Sequence, residues 1–193
     1  MQVILATSSR YRQNAFTFLG IPFMAKPSRI DESAVSRTDP KKLVRTLAKS
    51  KAETVARNHA QAIVIGLDSV GFFRGAILEK PKSRQEAFDR LRQLSGKMHE
   101  FYTGVYMINT ATGQSIYRMV ATKVVLRKLT RFDIKKYLDQ SDNYRSMAVG
   151  FSALDHYSAS FIAKLAGSSN NLIHGIPLEV IPELLEKVGY TVQ

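Results

Sequence analysis

The amino-acid sequence predicts an α/β or α+β protein whose sheet is mixed rather than all-parallel. Three observations carry that reading: an opening strand–turn–helix pattern, an apolar run at residues 62–67, and two long alternating segments in the middle of the chain. A parallel pair needs a long crossover, and the two middle segments are joined by a short turn only.

Val3-Ile4-Leu5-Ala6 is a short apolar run closed by Thr7-Ser8-Ser9, and Asn14 to Leu19 continues with helical apolar spacing up to Gly20. Ser8 or Ser9 caps that helix, so its first N–H groups and positive dipole end face the turn and suit an anion. Ile21-Pro22-Phe23-Met24 reads as a second strand. Asp39 and Pro40 supply a cap and a first-turn proline for a long helix with an apolar stripe through Leu43, Val44, Leu47, Ala48, Ala52 and Val55. Ala62 to Leu67 reads as a strand buried on both faces, delivering Asp68-Ser69 at its end. Ser83-Arg84-Gln85-Glu86 is a capping box for a helix through Ala87, Leu91 and Leu94, stopped by Ser95-Gly96, with Lys97 and His99 placed to cap its end. Phe101 to Ile108 and Ile116 to Leu126 alternate around the turn-forming Asn109 to Gly113 and read as an antiparallel pair. Beyond Thr130 a short helix holds Ile134, Tyr137 and Leu138, Phe161-Ile162-Ala163 reads as a strand, and Leu178 to Val188 as a final amphipathic helix. With no internal repeat and no Gly/Ser linker, residues 1–193 read as one domain.

Composition narrows the chemistry. There is no cysteine, which excludes a disulfide framework, a thiolate zinc site and a cysteine nucleophile. No apolar stretch reaches the roughly 18–20 residues of a bilayer span, and the first residues lack the pattern of a secretory leader, so a soluble, cytoplasmic protein with no membrane partner is expected. The net charge of +12 is unevenly spread: +7 in residues 1–60, +6 in 61–130 and −1 in 131–193. Such a field attracts polyanions without choosing among nucleic acid, nucleotides and acidic membrane.

Several signatures are missing. Gly96-Lys97 has no glycine five positions earlier, no Gly-x-Gly-x-x-Gly occurs, residues 150–154 lack the last glycine of a nucleophile elbow, and the four histidines have no metalloprotease spacing. What remains are phosphate- and metal-friendly groups at element ends: Ser8, Ser9 and Arg12, then Asp31-Glu32, Lys51, Asp68-Ser69 and Glu79-Lys80. An acid placed by the most buried strand needs a partner, and either a divalent cation or a basic side chain serves.

The pieces Leu5-Ala6-Thr7-Ser8-Ser9-Arg10-Tyr11-Arg12, Ile30-Asp31-Glu32, Leu47 to Ala52, Ile65-Gly66-Leu67-Asp68-Ser69, Leu78-Glu79-Lys80-Pro81, Leu91 to His99 and Gly175-Ile176-Pro177-Leu178, in that order, resemble the Maf family of nucleoside triphosphate pyrophosphatases nearly end to end. The resemblance implies an inosine-triphosphatase-like α/β fold with a long mixed sheet and two lobes around a cleft. It implies hydrolysis of a nucleoside triphosphate to the monophosphate and pyrophosphate, assisted by Mg²⁺ or Mn²⁺. In that reading Asp68 is the proton acceptor and also a metal ligand. Glu32 helps hold the metal, while Ser9, Arg12, Lys51 and Lys80 contact substrate. The physics agrees, since a triphosphate needs its charge offset and its reacting groups positioned.

Base selectivity in the family follows three positions, matched here by Tyr11, Ser69 and Asp155. Thymidine- and uridine-selective members resemble Arg, Thr and Gln there, 7-methyl-GTP-selective members Trp, Gln and Glu, and this chain matches neither set. An aromatic at Tyr11 and an acid at Asp155 lean towards a purine of the 7-methyl-GTP kind. The competing readings are a basic nucleic-acid-binding protein, which no recognised module supports, and a cell-division regulator acting at the septum, which the family's name suggests. The terminal helix could cover a sheet edge or form a homodimer contact, and packing in the core is its expected use.

Overall fold

The computed structural model of the chain describes residues 1–140, 142–153 and 157–191. The strands are β1 (Gln2–Leu5), β2 (Phe23–Ala25), β3 (Ala62–Phe73), β4 (Ala76–Leu78), β5 (Met98–Asn109), β6 (Ser115–Leu126) and β7 (Ile162–Ala166). The helices are α1 (Arg10–Phe16), α2 (Pro40–Ala56), α3 (Arg84–Leu94), α4 (Arg131–Gln140), α5 (Ser169–His174) and α6 (Ile181–Lys187). Among the described residues all seven strands join one sheet in the order β2-β1-β3-β5-β6-β7, with β4 paired to β3. β1 is parallel to β2 and β3, and the other pairings are antiparallel, so the sheet is mixed as expected.

Local chemistry explains most element boundaries. Asp39 accepts from the N–H groups of Lys41 and Lys42 at 2.8 and 3.2 Å, and Ser83 accepts from Glu86 at 3.1 Å. Lys97 Nζ caps α3 by donating to Gln93 O at 2.9 Å, whereas His99 is buried inside β5 and caps nothing. The terminal helix is broken into a 3-10 turn at Leu178–Val180 and α6 from Ile181. Pro182 has no N–H to bond Leu178 O, so one continuous helix cannot form.

Helix α2 packs closest to the sheet. A Cβ on Gly66 would lie 2.0 Å from Ala48 O, and one on Gly104 2.5 Å from Val44 O, so only glycine admits the helix at this depth. The opposite face carries two cores. Leu67, Val105 and Met107 belong to one, packed under α1 and α6, while Phe101 and Val124 belong to another, packed under α3 and α4. Between Phe101 and Val105 stands Thr103, paired in register with Ser69 and bonded to it at 2.7 Å. This polar seam separates the two lobes.

Candidate active site

Asp68 does not end its strand. β3 continues to Phe73, because the ladder with β5 runs through Phe72 and supplies the backbone partners that a polar side chain does not disturb. It then turns through Arg74 and Gly75, at φ 50° and 82°, into β4. β5 fills one edge of β3, so β1, paired to Ala62–Ile65, and β4, paired to Gly71–Phe73, share the other. Among the described residues no strand pairs with 66–70 on that edge. Here lies the floor of a cleft of about 820 Å³.

The sequence-predicted residues converge on this gap. Asp68, buried and in mid-strand, accepts from Lys51 Nζ at 2.6 Å, and the same ammonium lies 2.8 Å from Glu32 Oε1. The close approach of α2 at Gly66 is what brings Lys51 to Asp68. Burial pushes the Asp68 carboxyl above its usual range, with Lys51 and Arg12 acting in the opposite direction. The partner required by a buried acid is therefore present as a lysine.

Arg12 ties three elements together. Its Nε donates to Gly175 O at 2.8 Å, one terminal nitrogen to Leu67 O at 2.9 Å, and the other to Ser69 Oγ at 2.7 Å. The Leu67 carbonyl sits on the unpaired edge, so the guanidinium replaces a missing strand there. Three of its five N–H groups are committed to protein, leaving two for a ligand. Burial lowers its pKa, opposed by Asp68 and Glu32, and a guanidinium stays charged regardless.

Ser9 caps α1 by a long contact, its Oγ accepting from Arg12 N at 3.5 Å. Tyr11, Ser69 and the exposed Lys80 line the cleft with it, so eight of the nine predicted residues share one cavity. Asp155 lies outside the described residues.

Other lining residues escaped sequence reasoning. Arg10, Arg29 and Arg37 raise the cationic groups of the cleft to six against the acids Glu32, Asp68 and Glu79, a balance suited to a polyanion. Arg29 holds a left-handed backbone at φ 49°, and no local pattern announces this in a non-glycine residue. Arg37 pairs with Glu79 at 2.5 Å, linking the segment after β2 to the segment after β4. His174, at the end of α5, also lines the wall; α5 is capped by Ser168, a signal that was readable as Ser-x-x-Asn but too short to carry a helical period.

No group of three or more His, Cys, Asp or Glu converges among the described residues, so no all-protein cage is built. Two carboxylates that approach a single cationic atom within 2.8 Å do fit a hard cation of the Mg²⁺ type, which binds through one or two carboxylates plus water and phosphate oxygens.

No helix among the described residues is long and apolar enough to cross a membrane. The chain is 35% identical to a 7-methyl-GTP pyrophosphatase of Nitrosococcus oceani, over 98% of this chain and 94% of that protein. It is 33% identical to a dTTP/UTP pyrophosphatase of Pelotomaculum thermopropionicum, over 99% and 98%. Its fold matches a HAM1 protein from Coxiella burnetii at a TM-score of 0.54 and 12% identity, covering 97% and 99% of the two chains, and so bears out the inosine-triphosphatase-like architecture. The profile of the Maf-like proteins matches residues 2–188, and the chain belongs to that family.

Proposed function

We propose that this protein hydrolyses a nucleoside triphosphate at the bond between the α and β phosphates, releasing a nucleoside monophosphate and pyrophosphate. The observation that carries the reading is the Glu32–Lys51–Asp68 cluster beside Arg12, on the open edge of β3 within a cation-rich cleft. Relatives on both sides of the family carry pyrophosphatase names while differing in base, which supports the reaction and leaves the base to this chain's own residues.

Asp68 takes the proton of the attacking water. The water's oxygen joins the α phosphorus as the bond to the bridging oxygen breaks, and pyrophosphate leaves with the bonding electrons. A carboxylate whose pKa is raised by burial is a stronger base than an ordinary one. Lys51 and Arg12 place positive charge where the phosphate oxygens gather, and Lys80 adds a third cation at the mouth. Ser9, at the N-cap, faces the same space. Glu32 and Asp68 would hold Mg²⁺ or Mn²⁺, which supplies charge neutralisation at the phosphates and a more acidic water. Tyr11 and Ser69 flank the place of the nucleoside, and the preferred base is a purine of the 7-methyl-GTP kind.

The test is pyrophosphate release from a panel of standard and modified triphosphates, with Mg²⁺ and with Mn²⁺. Asp68→Asn, nearly isosteric, lowers turnover by about 10²–10⁴-fold with an unchanged unfolding midpoint. Near-normal turnover in that variant removes Asp68 from its role, and no release from any triphosphate refutes the reaction.

A further inference from the structure

One wall of the cleft, made by α1 and α5, carries aromatic rings beside the cations Arg10 and Arg12. Tyr11, on the first turn of α1, and His174, the last residue of α5, both line it. Phe18, in the 3-10 turn that follows α1, meets the His174 ring edge-on with centroids 6.0 Å apart and an interplanar angle of 76°. Phe18 is 72% exposed, although a phenyl ring in a small globular protein is normally covered. The ring nitrogens of His174 make no hydrogen bond among the described residues, and its side chain is half-buried. Packing of the core therefore explains neither ring.

The position along the chain gives the pair its meaning. The residue after His174 is Gly175, whose carbonyl accepts from both Arg12 Nε and Ser69 Oγ. The imidazole is thus tethered, through one backbone link, to the groups that stand beside Asp68. On the pyrophosphatase reading, a triphosphate anchored by Lys51 and Arg12 would have the wall made by α1 and α5, past Ser69 and Gly175, within reach of its nucleoside. Burial also lowers the His174 pKa, which favours the neutral ring.

We propose that His174, buttressed by Phe18, is the stacking platform for the base and selects purine over pyrimidine nucleoside triphosphates. The inference rests on the pyrophosphatase reading and adds a specificity residue to it. Stacking strength grows with the size of the base's π-system, and a purine offers a larger one than a pyrimidine does. Phe18 holds the imidazole in place by an edge-to-face contact, so it acts as a positioning residue.

The experiment measures binding without turnover, by titration calorimetry with the α,β-methylene analogues of GTP and UTP in the presence of Mg²⁺. Wild-type protein, His174→Ala, His174→Phe and Phe18→Ala are compared, each with its thermal unfolding midpoint. Wild type is expected to prefer the GTP analogue. His174→Ala weakens that analogue by roughly tenfold and the UTP analogue by less than about threefold, while His174→Phe keeps the preference. Phe18→Ala falls between wild type and His174→Ala. Equal weakening of both analogues, no weakening of either, a wild-type preference for the UTP analogue, or no binding at all overturns the proposal. If wild type binds with the expected preference but releases pyrophosphate from no natural triphosphate, the reaction reading fails while the platform stands.

Discussion

Gly66→Ala probes how the fold builds its site. The added Cβ would sit 2.0 Å from Ala48 O, 2.8 Å from Ala52 N and 2.9 Å from Ala52 Cβ. Carbon and oxygen atoms that are not bonded do not approach within 3.0 Å, so α2 must retreat by at least 1.0 Å, the difference between 3.0 and 2.0 Å. Lys51 lies on the next turn of that helix, and its 2.6 Å contact with Asp68 lengthens with the retreat. Overpacking of this kind costs about 1–3 kcal/mol of stability, and a displacement of about 1 Å in a reacting group costs about 10²-fold in rate. The assay pairs denaturant unfolding with pyrophosphate release, using Gly113→Ala in the open hairpin turn as a control. Gly113 has a left-handed backbone at φ 76° and nothing within 4 Å of its Cβ position, so its alanine variant loses modest stability only. A Gly66→Ala protein with wild-type stability and turnover would refute the claim that close packing of α2 aligns Lys51.

His99 carries a pH signature of the fold rather than of the reaction. Both its ring nitrogens are buried without a partner among the described residues, and burial lowers its pKa from 6.5 to about 4. The unfolded chain therefore takes up the proton first, so stability falls as pH drops from about 6.5 to about 4, by about 3 kcal/mol in all. Unfolding free energies measured across that window should lose this slope in His99→Leu; an unchanged slope assigns it elsewhere. The pH profile of turnover reports on Asp68 in the same way. Because burial raises its pKa, the acidic limb of kcat/KM falls above the range of an ordinary carboxylate, and a limb at or below that range contradicts Asp68 as the base.

What the sequence by itself determined is local. The caps at Ser9, Asp39 and Ser83, the apolar stripe of α2 and the alternation of β5 and β6 are set by neighbours within a few residues, and each appears as expected. The resemblance carried by short ordered motifs also named residues that prove to line one cleft. Where reading stopped, a distant partner decided. Asp68-Ser69 reads as a strand end because polar residues interrupt an apolar run, yet β5 pairs straight through it and Lys51 neutralises the acid. Lys51 and Asp68 meet only because two glycines let α2 approach the sheet, and Arg12 becomes a strut only where β1 ends and β4 has not begun. His174 and Phe18 are far apart in sequence, and neither shows a pattern that predicts their contact. Electrostatics and stacking act over a few ångströms in space. Only the tertiary structure decides which residues share that distance.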